Sequence, residues 1–215
     1  MFKIAPCSHE AAKYAVMNWH YSKTMPSGKL VKYGVWEDEK FIGVILYGYG
    51  ANGQLPKLFG LVQTECAELV RVALTSHRTP VSQLIAETLK QLKTDNPGLR
   101  LAVSYADTEQ GHKGGIYQAG NWTYTGTANT AGGSVILNGQ KIHGRSIVAK
   151  YGTRSIEWLK ANIDPNARAA DDYAKHRYIM PLDKAMRRKI ASMAKEYPHA
   201  VEGSKVSRIS SSDEV

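Results

Sequence analysis

Asp107, His112 and Tyr117 stand within eleven residues of one another in "LRLAVSYADTEQGHKGGIYQAGNWTYTGTA", Leu99–Ala128. The stretch opens as a buried strand, breaks into "TEQGHKGG", and resumes as "IYQAGNWTYTG". The middle piece is too polar and glycine-rich for a core. Packing explains the strand and leaves the polar cluster at its end unexplained. A carboxylate there can accept a proton or orient an amine, and a phenol can donate a proton to a leaving group. Arg71, inside "AELVRVALTS", sits where a structural strand needs no charge. A guanidinium binds a carboxyl or phosphate oxygen bidentately. His20-Tyr21 is a second polar-aromatic pair. Such groups can carry general acid–base chemistry beside a cation that holds an anionic oxygen. Structural roles compete with each one. Asp107 is equally a turn cap, Tyr117 a packed helix residue, and Arg71 an ion-pair partner of Glu68 or Glu65. His20-Tyr21 is equally a helix end packed on Trp19.

The elements that position these residues follow from periodicity and punctuation. Ser8 caps a helix through Lys13 to Tyr21, with Ala12, Ala15, Val16 and Trp19 on one side. Leu30–Trp36 and Phe41–Gly48 read as a hairpin turning at Asp38-Glu39. "AELVRVALTS" is a strand. "RTPVSQLIAETLKQLKTDNPG" is a helix with Pro80 in its first turn and a stop at Asn96-Pro97-Gly98. Leu99–Ala106 then completes a βαβ unit, whose two strands are expected to be parallel neighbours. "SVILNGQKIHGRSIV" reads as a hairpin around Asn138-Gly139, and "TRSIEWLKANI" as a helix. "KHRYIMPL" reads as a strand, and "DKAMRRKIASMAKEY" as a basic helix capped by Asp183. Residues 1–200 are expected to form one domain, and 201–215, Ser-rich and charged, a disordered tail.

With 28 Lys+Arg against 19 Asp+Glu the net charge is +9, and 15 basic against 9 acidic residues fall from Lys141 onward. That asymmetry points to a polyanionic partner, with contacts expected in 141–200 around Arg177, Arg187, Arg188 and Lys189. Arg187 to Lys189 are consecutive, so on a helix they fan around its circumference, and a solvated face is the alternative. No apolar run approaches the ~20 residues that span a bilayer. "MFKIAPCSHEAAKY" lacks the apolar core of a signal peptide, so a cytoplasmic protein with no membrane contact is expected. Cys7 and Cys66 have no metal-ligand spacing and read as reduced thiols.

The order of helix, hairpin, strand, helix, strand, short helix and aromatic-near-glycine resembles the GNAT acyltransferase fold. "AELVRVALTS" to "PVSQLIAETLKQL" is placed like the junction that cradles acyl-CoA pyrophosphate, and "IYQAGNW" like the element whose tyrosine protonates the departing thiolate. The junction departs from that family. "HRTPVSQL" has no glycine whose amide meets phosphate, although a helix N-terminus attracts anions. A narrower resemblance covers most of the chain. "NWHYSKTMPSGK", "KYGVWEDEKFIGVILYGYGAN", "ELVRVAL", "VSYADTEQGHKGGIYQAGNWTYTG" and "IHGRSIVAKYG…KHRYIMPL" are similar to the phage Mom DNA-modification family, divergent GNAT relatives.

The resemblance implies an α/β fold, a GNAT-like mixed central sheet flanked by helices with a basic C-terminal extension. It implies conversion of adenine in DNA to a carbamoylmethyl derivative on its exocyclic amine, protecting phage DNA from restriction in the bacterial host's cytoplasm. Catalytic roles are expected of Asp107, Tyr117, Arg71, His20 and Tyr21, and donor contacts of Arg71, Arg78, Ser82 and Ser104. An iron site at His20, Tyr21 and Asp107 is implied by the family. The expected partner is double-stranded DNA with a flipped or opened adenine, because a stacked base hides its amine. Tyr33, Trp36, Tyr47, Tyr49 and Trp122 are stacking candidates, with core packing as the alternative. The donor follows from atom counting. A carbamoylmethyl group contains two carbons and an amide nitrogen, the inventory of glycine, so activated glycine such as glycyl-tRNA supplies two carbons and one nitrogen, and acetyl-CoA supplies only the carbons. A tRNA is then a second nucleic-acid partner. Two other readings stand beside this one: a GNAT-type N-acyltransferase of protein or small-molecule amines, and a non-catalytic nucleic-acid-binding module.

Overall fold

A computed structural model of the chain describes residues 1–49, 53–128, 133–171 and 173–198. Strand β1 (Phe2–Pro6) leads into helix α1 (His9–Trp19), and β2 (Leu30–Glu37) and β3 (Lys40–Gly48) form the hairpin. Then come β4 (Cys66–Leu74), α2 (Val81–Asp95), β5 (Leu101–Ala106), α3 (Gly115–Gln118) and β6 (Thr123–Ala128). An insert follows: β7 (Val135–Leu137), β8 (Gln140–Ile142), α4 (Gly144–Tyr151), α5 (Ile156–Asn162) and β9 (Arg168–Ala169). The chain returns as β10 (Lys175–Pro181) and α6 (Lys184–Ile190).

Seven strands form one mixed sheet in the order β1-β2-β3-β4-β5-β10-β6. Its core pair is β4 and β5, parallel as the βαβ reading requires. Helices α2 and α3 cover one face, with Leu84, Ile85, Leu89 and Leu92 of α2 packed on Tyr33, Val35, Tyr47 and Ala102. On the other face α1 sets Ala12, Ala15 and Val16 on Val44, Leu46 and Ala73, and α6 sets Met186 and Ile190 against Leu101, Val103 and Ile179. This is the mixed central sheet flanked by helices that the order of elements implies.

The capping predictions hold locally. The Ser8 hydroxyl accepts the Ala11 amide at 3.1 Å and the Asp183 carboxylate accepts that of Met186 at 2.6 Å, satisfying N-terminal donors of α1 and α6. Helix α1 ends at Trp19, two residues short of the expected Tyr21, so His20 and Tyr21 lie on the loop beyond it. Among the elements that escape the sequence reading are β1, α4 and the two-residue β9. β1 is a short edge strand paired with β2, and α4 starts inside what reads as the second arm of a hairpin. Helix α6 begins after Pro181, which pairs with Leu101 at the end of β5 opposite Asp107. The expected tail, 201–215, lies outside the described residues.

Candidate active site

The site is built where two parallel strands part. β4 and β5 pair from Cys66↔Leu101 to Leu69↔Ser104 and no further, yet β4 runs on to Leu74 and β5 to Ala106. A slot therefore opens beyond Leu69. A register shift against β3 lies at the same level, with Tyr47 opposite Leu69 and Leu46 opposite Arg71. The extra residue changes which side each chain atom meets. Val70 and Ala73 face α1, whereas Val72 and Leu74 face α2. By alternation Arg71 falls on the α1 side. There its guanidinium donates to the Thr24 carbonyl at 3.3 and 3.4 Å and to that of Val70 at 2.7 Å.

Tyr117 reaches the slot from the opposite face. Gly114, in the left-handed region at φ +83, lets α3 begin against the Tyr178 ring, since a Cβ there would sit 2.3 Å from a ring carbon. That explains one glycine of the polar stretch. The Tyr117 ring packs between Trp122 at 5.3 Å and Tyr178 at 5.2 Å. Its hydroxyl lies 2.8 Å from that of Ser104, which is 2.9 Å from the Leu69 carbonyl. These three groups close the base of the slot at the last paired residues. Burial pushes the Tyr117 phenol up to about 12, so it holds its proton at neutral pH.

Asp107 caps the turn after β5 by accepting the Glu109 amide at 3.1 Å, so its structural role is real. Its other oxygen does more. It accepts the Tyr21 hydroxyl at 3.3 Å and pairs with Lys175 at 3.0 Å. Burial pushes the carboxyl up, but Lys175, the Glu109 amide and Tyr21 outweigh it and hold Asp107 below the ordinary carboxylate range. An anion at every working pH is a good acceptor for an amine N–H and a weak base. The Tyr21 ring stacks against His20 at 4.3 Å and meets His112 edge-on at 5.5 Å. Burial, Arg71 and His112 push His20 down to about 4, so the ring is neutral. Thus His20, Tyr21, Arg71, His112 and Asp107, remote in sequence, share one side of the slot.

Lys175 and Glu68 belong to this cluster and the sequence reading omits both roles. Lys175 reaches Asp107 because β10 inserts antiparallel beside β5. Glu68 alternates with Cys66 and so lies on the face away from α2. Burial raises its carboxyl to about 7 against the opposing pull of Lys175 and Arg71. An acid in a central strand was the available signal. A carboxyl poised there can take a proton from an incoming amine. Glu68→Gln should lower turnover by roughly 10- to 100-fold near neutrality. It should also abolish the rise in rate as pH increases through about 7. A pH–rate profile checks this, and a merely structural carboxyl would leave the profile's shape intact.

Two expected ligand sites meet groups already engaged within the chain. At the β4–α2 junction the amides of Arg78 and Thr79 already donate to the Glu37 carboxylate, at 2.9 and 2.8 Å. Those bonds, with that of the Thr79 hydroxyl foremost, hold Glu37 down to about 2. The Arg78 side chain pairs with Asp38, and Ser82 stands in the first turn of α2. The chain's own anion therefore occupies two loop amides just ahead of α2, beside the place expected for a pyrophosphate. Arg78 and Ser82 are thereby separated in role from Arg71 and Ser104, which line the slot. The iron site fails on the chemistry of its donors. His20 Nδ1 accepts the Ser22 amide at 3.1 Å, so the neutral ring carries its hydrogen on Nε2. Burial and Asp107 raise the Tyr21 phenol to about 12, and Asp107 is already neutralised by Lys175. Among the described residues no group of three or more His, Cys, Asp or Glu is gathered for a metal. Arg71 and Lys175 supply the positive charge that a metal would bring.

The stacking candidates also sort themselves. Tyr33, Tyr47 and Trp122 are core residues, Trp36 packs on Phe41 at 5.5 Å, and Tyr49 is half exposed just beyond the end of β3. The half-exposed aromatic at the slot is Tyr21.

The model of one protein family, described as the Mom protein family, matches residues 1–199. The methylcarbamoylase Mom of Escherichia phage Mu is 25% identical over 185 residues, covering 83% of this chain and 75% of that protein. A probable GNAT-family acetyltransferase from Chromobacterium violaceum superposes with a TM-score of 0.47 at 11% identity, covering 84% of this chain and 82% of its own. The spermidine N-acetyltransferase of Vibrio cholerae, solved with CoA and spermine, gives 0.46 at 8% identity, covering 84% and 95%.

Proposed function

The chain belongs to the Mom protein family, and from that premise we propose that it is a transferase that modifies adenine in DNA. The product is the carbamoylmethyl derivative on the exocyclic amine, which protects the DNA carrying it from restriction. The observation that carries this reading is the slot itself. Asp107, tied to Tyr21 and Lys175, stands on one side, and Tyr117, tied to Ser104, on the other.

The adenine amine is a poor nucleophile because its lone pair is delocalised into the ring. Flipped from the duplex, it donates one N–H to the Asp107 carboxylate, which aims the lone pair at the donor carbonyl. Glu68 takes the proton released as the N–C bond forms. Arg71 stabilises the oxyanion, and Tyr117 protonates the departing oxygen. When the donor is a glycyl ester, this step gives a glycyl amide and a free hydroxyl. The glycyl amine then attacks the ring carbon that bears the amide nitrogen. The old carbon–nitrogen bond breaks, and the adenine's original nitrogen becomes the terminal carboxamide. No oxidant or reductant is consumed: glycine supplies both carbons and the oxygen of the carbamoylmethyl group, and its nitrogen becomes the new exocyclic nitrogen on the ring.

Glu37 on the junction amides supports such a donor over acetyl-CoA, since a diphosphate taking those amides would have to displace a buried anion. Acetyl-CoA at saturating concentration should therefore raise the thermal midpoint by less than about 1 °C. A true ligand at 100 times its Kd adds about 2.7 kcal/mol, or roughly 5–10 °C for a chain of this size. A shift of that size would favour acylation of a protein or small-molecule amine. The decisive reaction combines purified protein, DNA and either acetyl-CoA or glycyl-tRNA charged with labelled glycine. Entry of both glycine carbons and its nitrogen into deoxyadenosine is expected. Modification from acetyl-CoA without glycine would overturn the donor assignment.

A further inference from the structure

The insert between β6 and β10 is a small unit with its own core. Val135, Leu137, Ile147, Leu159 and Ala167 form a cluster separate from the three that line the main sheet. The Ala170 amide donates to the Ser134 carbonyl at 2.9 Å, so the insert leaves and returns at one neck. It is held against the catalytic end of β5. Lys141 of β8 bridges both oxygens of Glu109, at 2.7 and 2.8 Å, two residues beyond Asp107.

Its charges are uneven in number. Residues 135–169 hold six Lys and Arg against two acids, a net +4. Asp164 is turned inward, 7% exposed, accepting the amides of Asn138 at 2.7 Å and Asn166 at 2.9 Å. Glu157 accepts the Ser155 hydroxyl at the start of α5. Lys150 of α4, Lys160 of α5 and Arg168 of β9 are exposed, as is Trp158. Both acids are engaged in the insert's own turns, and on the outward surface these three cations outnumber the one exposed acid, Glu157. Helix α6, in contrast, starts at the far end of β5, roughly 20 Å along a six-residue strand from Asp107. Its Lys189 is turned back to the Gly60 carbonyl at 3.5 Å.

We propose that this insert, and not α6, seats the phosphate backbone of duplex DNA beside the slot. The proposal rests on the DNA-modifying reading and names the surface that reading needs. Duplex DNA fits because it presents a dense, continuous row of phosphates, one charge per ~1.7 Å of axis, to a cationic face adjoining the residue that receives the base. The insert then fixes the register of the backbone while the base is drawn out toward Asp107.

The test is the triple variant Lys150→Glu/Lys160→Glu/Arg168→Glu, titrated with a short mixed-sequence duplex at several salt concentrations. Affinity should fall about tenfold or more, and the logarithmic salt slope should become shallower by about 2–3, as for three lost phosphate contacts. The thermal midpoint should stay at the wild-type value, and Arg187→Glu/Arg188→Glu should leave affinity and slope unchanged. A triple variant with wild-type affinity and slope would overturn the proposal, as would one that loses tRNA binding but keeps duplex binding. The underlying reading fails separately. A wild-type protein that binds duplex through the insert yet yields no altered deoxyadenosine would sink the chemistry and leave the surface standing.

Discussion

Tyr117→Phe is expected to fold normally and to lose at least 100-fold in DNA modification. The substitution deletes one hydroxyl and nothing else. That hydroxyl lies 2.8 Å from Ser104, which keeps the Leu69 carbonyl as a partner at 2.9 Å, so no buried group is orphaned. The stability cost is that of one hydrogen bond, about 0.5–1.5 kcal/mol. The ring keeps its contacts with Trp122 and Tyr178. Catalysis has no such reserve, because a positioned proton donor contributes roughly 10²–10⁴-fold. Burial keeps the phenol protonated to about pH 12, which suits a donor and not a base. Single-turnover rates at matched folded fraction give the answer, and full activity in the variant would remove Tyr117 from the reaction.

Asp107→Asn carries the second large effect, again about 100-fold or more, by removing the anion that orients the amine. The amide oxygen can still accept the Glu109 amide, so the turn survives. Lys175 loses its partner but remains partly solvated. Asp107 is held below its ordinary value of 3.8, so its contribution to stability is complete at neutral pH and disappears only on acidification through that depressed value. The variant should therefore match wild type more closely in acid than at neutrality. Near wild-type rates in Asp107→Asn, together with unfolding of Asp107→Ala, would make Asp107 a structural cap alone.

Local rules made much of this molecule legible. The caps at Ser8 and Asp183, the hairpin and the βαβ unit are short-range consequences of side-chain type and period. The polar stretch after β5 pointed to Asp107 and Tyr117, and the fold brings both to the slot, Tyr117 from within the core. What escaped depends on pairing across the sheet. Nothing near Lys175 says that β10 enters between β5 and β6, yet that insertion alone brings its ammonium to Asp107. Glu37 is an ordinary strand-end acid in sequence. Only the folded chain shows it on the amides of residues 78 and 79, beside the place expected for a pyrophosphate. Glu68 resembles a solvent-facing strand residue until its strand is found at the centre of the sheet. The iron expectation fails for a related reason, since the cations Arg71 and Lys175 arrive from strands that the local pattern does not connect.

The central claim is that this chain alters adenine in DNA, and the direct measurement is the mass of the nucleosides. Plasmid DNA recovered from cells expressing the protein is digested to nucleosides and compared with DNA from cells expressing Tyr117→Phe. A deoxyadenosine heavier by the atoms of one glycyl residue, C2H3NO, present with the wild type and strongly reduced with the variant, is the predicted result. Unaltered deoxyadenosine in DNA from cells that contain abundant, folded wild-type protein would contradict the account.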